Sequence, residues 1–154
     1  MKKLFNTPLA MFICMAMVTV FTACEPEEEP QMLSFVCDGK AIADGSTFRT
    51  PNTNPDINLI GEVNGKATVV LKSLNQTQIT MCAFDACVAT LPLYNYEATN
   101  DGEITAGAAL PLGIHYSPTE DGPYHTQALI TAYYEGKEDK AVSFTLVMSN
   151  IEKP

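Results

Sequence analysis

The feature that most constrains this chain is a series of short apolar or alternating segments, each closed by glycine, proline, asparagine or aspartate. In the segment 142–148, the apolar residues Val142, Phe144, Leu146 and Met148 alternate with Ser143, Thr145 and Val147. Alternation with a period of two is typical of a strand with one buried face, and no segment after residue 32 keeps a helical period of 3.6. The sequence therefore predicts an all-β fold.

The strands are expected in an antiparallel arrangement. The segments 57–63 and 67–72 flank Asn64-Gly65, which predicts a type I′ hairpin, and 127–134 pairs with 142–148 across 135–140. The other expected strands are 33–37, 42–48, 78–84, 87–91, 103–107 and 110–116, and loops are expected at 50–55 and 94–102. Roughly seven to nine strands in one domain of this size predict a β-sandwich.

Residues 120–124, Glu-Asp-Gly-Pro-Tyr, fit a mark of the immunoglobulin-like sandwich. In the tyrosine corner of that fold, a tyrosine hydroxyl bonds back to nearby backbone at the start of strand F. Thr126 stands where antibody domains have a cysteine, and the chain has no tryptophan. The disulfide-and-tryptophan core of antibody domains is therefore not expected.

The first 23 residues read as an export signal. Lys2 and Lys3 precede an apolar stretch over 9–20, which ends in small residues before Cys24. A membrane-spanning helix is the alternative, for which the stretch is only marginally long enough. Residues 21–24, Phe-Thr-Ala-Cys, resemble the lipobox of bacterial lipoproteins. This resemblance implies cleavage after residue 23 and a covalent lipid on Cys24, which would anchor the protein to a membrane.

Residues 24–31 are expected to form a tether, because the run Glu-Pro-Glu-Glu-Glu-Pro over 25–30 cannot pack into a core. The acidic run also resembles the surface-export signal of Bacteroidetes lipoproteins. It implies an outer-membrane protein exposed at the cell surface, with a plain spacer on the periplasmic face as the alternative. The predicted organisation is a signal peptide (1–23), the lipidated cysteine and tether (24–31), and a β-sandwich (32–154).

Five short motifs, taken in order, suggest a family. They are Met-Cys-Ala-Phe-Asp-Ala-Cys at 81–87, Glu-Ile-Thr-Ala-Gly at 103–107, Ile-His-Tyr-Ser-Pro at 114–118, the motif at 120–124, and Ala-Val-Ser-Phe-Thr-Leu at 141–146. This series resembles the immunoglobulin-like domains of secreted and surface proteins in Bacteroidetes, over about residues 57–149. The resemblance implies a non-catalytic module for presentation, adhesion or assembly, and it carries over no functional site.

Three cysteines remain after the anchor: Cys37, Cys82 and Cys87. Exported proteins meet an oxidising compartment, and Cys82 and Cys87 lie five positions apart around an expected turn, so we predict a disulfide between them. A loop this small should contribute less than the ~3 kcal/mol of a 15-residue loop. Cys37 is then an odd thiol, buried or reactive. The spacing is not that of a Cys-x-x-Cys redox pair.

No residue pattern indicates catalysis or metal binding. His115 and His125 lack the spacing of zinc ligands, and no calcium loop is present. The aspartates at or near expected turns are read as structural, namely Asp38, Asp44, Asp56, Asp85, Asp101 and Asp121. The chain has no nucleophile elbow and no phosphate loop, and nothing nominates a pair of catalytic carboxylates. We therefore predict a protein that is not an enzyme and has no cofactor except the lipid.

Composition and aromatic residues indicate the class of partner. With 18 acidic and 9 basic residues the formal charge is −9, which disfavours nucleic acid. Tyr94 and Tyr96 fall in an expected loop and are candidate ligand contacts, with packing over the edge of the sandwich as the alternative. The prediction is an envelope lipoprotein that binds a protein in adhesion or assembly. The alternative is a carbohydrate-binding accessory of a glycan-uptake system.

Overall fold

A computed structural model describes residues 32–119 and 122–151, which form eleven strands and one short 3₁₀-helix. The strands are β1 (Leu33–Cys37), β2 (Lys40–Ile42), β3 (Ser46–Thr50), β4 (Asp56–Gly61), β5 (Gly65–Ser73), β6 (Thr80–Ala83), β7 (Ala86–Ala89), β8 (Glu97–Ile104), β9 (Ala109–His115), β10 (His125–Tyr134) and β11 (Val142–Ser149), and the helix is Glu138–Lys140. The predicted signal peptide, Cys24 and the tether lie outside the described residues.

The strands form two sheets. One has six strands in the order β2-β1-β4-β9-β6-β7, and the other has five in the order β3-β11-β10-β5-β8. Every described pairing is antiparallel except that of β3 with β11, which is parallel. The predicted all-β sandwich is therefore confirmed, although with more strands than expected and one parallel pair.

The core lies between the two sheets. In β5 and β10 every second residue is buried, as one-faced strands require. The rings of Phe35 on β1 and Phe144 on β11 meet edge to face across the core, with centroids 4.9 Å apart. Full burial of a large apolar side chain contributes about 1.5–3 kcal/mol, so such alternating positions supply the main driving force for folding.

The prediction of a hairpin across Asn64 and Gly65 is wrong. β4 belongs to the six-stranded sheet and β5 to the five-stranded sheet, so the chain crosses the sandwich here. Neither residue has the positive φ of a type I′ turn, and the Asn64 side chain instead accepts a hydrogen bond from the Ala106 backbone N–H at 2.7 Å. Both strands bury alternate side chains in the shared core, and this long-range burial outweighs the local turn preference.

A type I′ turn forms at Phe84 and Asp85, whose φ angles are 50° and 61°. It joins β6 and β7 into a hairpin, as the sequence predicted for this region without identifying the turn type. The predicted loop 94–102 is wrong after residue 96, because β8 begins at Glu97. Its inward positions include Ala98, Asn100 and Gly102, which give no apolar alternation in the sequence.

Two further expectations need correction. The segment 42–48 is not one strand, because the chain turns at Asp44 and Gly45 between β2 and β3. The tyrosine corner is not formed as predicted: the Tyr124 hydroxyl donates to the backbone carbonyl of Pro51, 73 positions earlier.

The predicted hairpin of β10 and β11 is confirmed, in a register from His125 opposite Ser149 onwards.

The two ends of the sandwich differ in what they carry. We call the end at which β1 begins the proximal end; Leu33 there lies opposite Gly61, and the 84–85 turn is at the same end. The distal end holds the opposite termini of these strands, including the loop 90–96 between β7 and β8. Within the described part of the chain, no helix has the length and apolar character needed to span a membrane.

Candidate functional site

The distal end carries a concentration of exposed apolar side chains. Among the described residues the exposed large hydrophobic side chains are Val63, Leu91, Leu93, Tyr94 and Ile151. Three of them fall within residues 91–94, which we call the apolar tip, and their exposed fractions are 46%, 52% and 67%. Isolated exposed apolar residues are ordinary on a protein surface, whereas several of them in one short segment make that segment a candidate interaction site.

The backbone on both sides of the apolar tip is fixed. The Thr90 N–H donates to the Ile79 carbonyl at 2.9 Å, and the buried Thr90 hydroxyl accepts from the Ile79 N–H at 2.9 Å. On the other side, the Asn95 N–H donates to the Ser73 carbonyl and the Ser73 N–H to the Tyr96 carbonyl, both at 2.9 Å. The tip is therefore presented by anchored backbone, which lowers the entropy lost on binding.

The two tyrosines predicted as ligand contacts differ in exposure. Tyr94 is exposed, while Tyr96 is half-buried. Ring contacts in residues 32–119 and 122–151 join Phe35 to Phe144 and Tyr116 to Tyr124, and Tyr94 does not contact Tyr96. The role of both residues as ligand contacts stays a prediction, with Tyr94 exposed beside two leucines and Tyr96 half-buried.

Sequence reasoning missed Leu91 and Leu93. The available signal was Leu-Pro-Leu at 91–93, where a proline interrupts an apolar run that cannot continue a strand.

The predicted disulfide is confirmed: Cys82 and Cys87 are bonded, with their Cα atoms 4.0 Å apart. They lie directly opposite each other in the β6–β7 ladder. The bond fixes the register of the hairpin that precedes the apolar tip.

β7 is an edge strand that differs from the other three edges in the charge of its side chains. The edges of the two sheets are β2, β7, β3 and β8. Charged side chains on an edge strand discourage the addition of a further strand. Three of the four edges carry such charges: Lys40 on β2, Arg49 on β3, and Glu97, Asp101 and Glu103 on β8. The sequence of β7, Ala-Cys-Val-Ala, has no charge and no proline. Among the four described edges, it is the one that carries no charged side chain.

A cleft of 660 Å³ lies at the proximal end of β7. It is bounded by the β6–β7 turn, β8 and the first part of β9, with Phe84, Leu110 and Pro111 as its large apolar lining residues. Phe84 lies over Gly102, where a Cβ atom would fall within 2.6 Å of the Phe84 side chain. The glycine therefore allows the hairpin to approach β8 closely.

The charged residues that line the cleft are all acidic: Asp85, Asp101 and Glu103. Asp101 forms an ion pair with Lys66 at 2.8 Å, and this hydrogen bond raises the pKa of the lysine. An apolar lining with an acidic rim suits a side chain that has an apolar stem and a positive head.

The described residues contain no group of three or more His, Cys, Asp or Glu side chains arranged to hold a metal ion. His115 lies on β9 and contacts the Ser117 hydroxyl at 2.7 Å; His125 lies on β10 and contacts the Gln127 amide at 2.7 Å. Asp38 accepts a hydrogen bond at 3.2 Å from the Asp56 backbone N–H, 18 positions later and not from its own turn, and Asp101 lies within β8. Asp121 lies outside the described residues.

Of the two alternatives for Cys37, the structure places it among the buried residues as a free thiol. Burial, followed by the negative charges of Asp38 and Asp56, raises the pKa of this thiol to about 12. The thiolate is the reactive form, so the folded protein keeps Cys37 inert near neutral pH.

We expect Cys37 to resist iodoacetamide at pH 8 in the native protein and to react in denaturant, as followed by mass spectrometry. The pKa of about 12 in the folded state exceeds that of an ordinary thiol, so the unfolded state loses its proton first as the pH rises. This contribution to stability is therefore complete below pH ~9 and is lost between there and pH ~12. Rapid native alkylation would contradict the burial.

Comparisons with known proteins bear on the fold. No protein-family model matches the chain, and no curated protein matches it. Among solved structures, the chain is similar to the N-terminal domain of PorA, with a TM-score of 0.52 and 12% identity, over 76% of this chain and 96% of that one. The fold is an immunoglobulin-like β-sandwich. A PapD-like domain of human CEP192 is also similar, with a TM-score of 0.42 and 12% identity, over 84% of this chain and 94% of that one.

Proposed function

We propose that this protein is a lipid-anchored lipoprotein of the outer membrane, exposed at the cell surface, whose immunoglobulin-like domain binds a protein partner without catalysis. The observation that carries the proposal is the apolar tip, which presents Leu91, Leu93 and Tyr94 on backbone fixed at both sides. Exposed aromatic and aliphatic side chains on a rigid support are typical of the centre of a protein interface.

The position of the tip favours a protein over the anchoring membrane. The tether 24–31 would enter the domain at the proximal end, where β1 begins, while the apolar tip is at the distal end. Eight residues reach at most ~29 Å, and the ten residues of β10 alone measure about 33 Å. An anchor on Cys24 would therefore leave the tip at the end of the domain remote from the lipid attachment.

The composition of the tip favours a protein over a glycan. Sugar rings stack on exposed, flat aromatic surfaces, and such sites commonly present more than one ring. The tip has the single exposed ring of Tyr94, flanked by two leucines. Glycan binding is the competing proposal, and it predicts binding on a glycan array that depends on Tyr94 and not on Leu93.

The test is a comparison of three proteins purified from detergent-solubilised envelope, with the co-purifying proteins measured by quantitative mass spectrometry. We expect the variant Leu93→Asn/Tyr94→Ser to lose at least about 90% of a partner held by the wild type, since central interface residues contribute ~2 kcal/mol or more each. Val63→Asn is the matched control, because Val63 is an exposed apolar residue at the proximal end. It should retain the partner.

Two results would contradict the binding proposal: a partner retained by the tip variant, or the same loss in Val63→Asn. Cys24→Ala tests the anchor separately, since it should abolish lipidation and move the protein out of the membrane fraction. Digestion of intact cells by added protease distinguishes the cell surface from the periplasmic face. A Cys24→Ala protein that stays in the membrane would refute the anchor and leave the binding site untouched.

A further inference from the structure

The edge strand β7 offers a protein partner a way to engage this side of the domain, which rests on the proposed function. The hydrogen bond from Thr90 N–H to the Ile79 carbonyl sets the phase of the β6–β7 ladder. Hydrogen-bonded pairs alternate along an antiparallel ladder, so Val88 bonds to β6. Cys87 and Ala89 therefore direct their N–H and C=O groups away from β6, towards the open edge.

The outer edge of β7 has the acidic cleft at one end and the apolar tip at the other. The acidic cleft lies beside Ala86, at the proximal end of β7, and reaches as far as Cys87. The apolar tip follows Ala89 after one residue, at the distal end. An extended segment of about six residues, at ~3.3 Å per residue, would reach from the cleft to the tip.

The cleft determines the charge of such a segment. Phe84, Leu110 and Pro111 provide apolar lining, and Asp85 and Glu103 add negative charge. None of the cleft-lining residues is basic, although Lys66 lies opposite Glu103 across the β5–β8 ladder. A lysine or arginine would place its methylene stem against the apolar lining and its positive head at the carboxylates. The open edge supplies backbone pairing, and the tip supplies apolar contact for the rest of the segment.

We propose that the partner of this protein adds an extended strand to the outer edge of β7 and places a lysine or arginine side chain in the cleft beside Phe84. The strand continues along Cys87 and Ala89, and its far end contacts the apolar tip. The occupant is thus a segment of a protein with alternating apolar and polar residues and a basic residue at one end.

The test uses the full-length protein in detergent and fluorescent seven-residue peptides that alternate valine and threonine, with a single arginine at the first or the last position. Fluorescence anisotropy gives the affinity, and the arginine position of the tighter peptide gives the strand direction. Matched peptides carry glutamate instead of arginine. We expect an arginine peptide to bind the wild type and to bind at least about fivefold more tightly than its glutamate counterpart.

Two variants separate the parts of the proposal. Asp85→Asn/Glu103→Gln should weaken binding of the arginine peptide about fivefold, while Glu62→Gln/Asp139→Asn removes the same charge elsewhere and should not. Asparagine also tolerates the left-handed backbone at position 85.

Ala89→Pro removes an N–H from the open edge and none from the β6 ladder, so it should weaken binding about fivefold. Thr99→Pro is its control, because it removes an N–H from the open edge of another strand, β8. The hydrogen bond from the Ser73 N–H to the Tyr96 carbonyl sets the alternation of bonded pairs between β5 and β8, and this alternation directs the Thr99 N–H away from β5. Melting temperatures of all variants verify folding.

The proposal is overturned if no peptide binds the wild type, if arginine and glutamate peptides bind equally, or if folded Ala89→Pro binds like Thr99→Pro. Envelope partner capture distinguishes this failure from that of the proposed function. A partner lost in the tip variant but retained by Ala89→Pro and Asp85→Asn/Glu103→Gln would refute strand addition and leave the tip as the binding site.

Discussion

Gly61→Ala is expected to lower the free energy of unfolding by about 3 kcal/mol, measured by chemical denaturation. A Cβ atom at position 61 would overlap the Tyr134 hydroxyl and lie 2.7 Å from the Ile104 Cγ2 atom. Tyr134 is buried, and its hydroxyl donates to the Val63 carbonyl at 2.6 Å. The added methyl would displace the ring and break this bond at the point where the chain crosses between the sheets.

A double-mutant cycle identifies the tyrosine as the cause. In the background Tyr134→Phe, which lacks the hydroxyl, Gly61→Ala should cost about 1.5 kcal/mol less, with the contact to Ile104 accounting for the remainder. Burial raises the pKa of Tyr134, so the hydroxyl, which is protonated at neutral pH in any tyrosine, stays a donor further into the alkaline range. Gly122→Ala is the control, because no atom lies within 4 Å of its added Cβ and the change should stay within ~0.5 kcal/mol. Equal costs at positions 61 and 122 would contradict the close approach.

The sequence predicted those strands whose inward positions are apolar. The first strand 33–37 and the hairpin of β10 and β11 were predicted, because their alternation reports burial directly. β8 was missed because its inward positions include Asn100 and Gly102, which are not apolar core residues. Asn100 bonds to the Ala83 carbonyl of the β6–β7 hairpin, and Gly102 leaves room for Phe84 of the same hairpin. These reasons are contacts between distant segments, which a local pattern does not contain.

Turn residues were less informative than burial. Asn64-Gly65 has the residue types of a type I′ turn, yet the chain crosses between sheets there, while Phe84-Asp85 forms that turn without a glycine. Phe84 accepts a positive φ because its ring packs over Gly102, and the Cys82–Cys87 bond closes the hairpin beside it. Tertiary contacts at both places outweigh a local preference of about 1 kcal/mol.

The candidate site was only partly predictable. The disulfide followed from spacing and compartment, and Tyr94 followed from its place in a loop. Exposure of Leu91 and Leu93 depends on where Thr90 is anchored, through a bond to Ile79 that no local pattern indicates. The cleft joins residues 84–85, 101–103 and 110–111 of three separate segments, so it required the fold.

Asn100→Ala is expected to lower the free energy of unfolding by about 3 kcal/mol. Asn100 is buried on β8, and its side-chain amide donates to the carbonyls of Ala83 at 2.7 Å and Ala86 at 2.9 Å. These carbonyls flank the β6–β7 turn, so one side chain fastens the hairpin of one sheet to the edge strand of the other. Removing it deletes two hydrogen bonds and leaves a cavity beneath the hairpin that precedes the apolar tip.

Two comparisons separate the hydrogen bonds from the loss of volume. Asn58→Ala removes a strand asparagine whose amide bonds to the Asp56 carboxylate, and it should cost less than ~1 kcal/mol. Asn100→Asp keeps the volume, but a carboxylate cannot donate, so it should destabilise at least as much as alanine at pH 7. In the unfolded state the introduced aspartate takes up a proton near pH ~4. In the folded state, protonation of the same carboxylate restores one hydrogen-bond donor. The deficit should therefore shrink at acidic pH if the folded-state pKa of this aspartate is higher than the unfolded-state value. Hydrogen exchange should show faster opening of β6 and β7 than of β10. Wild-type stability in Asn100→Ala would mean that the disulfide and core packing alone hold the hairpin against β8.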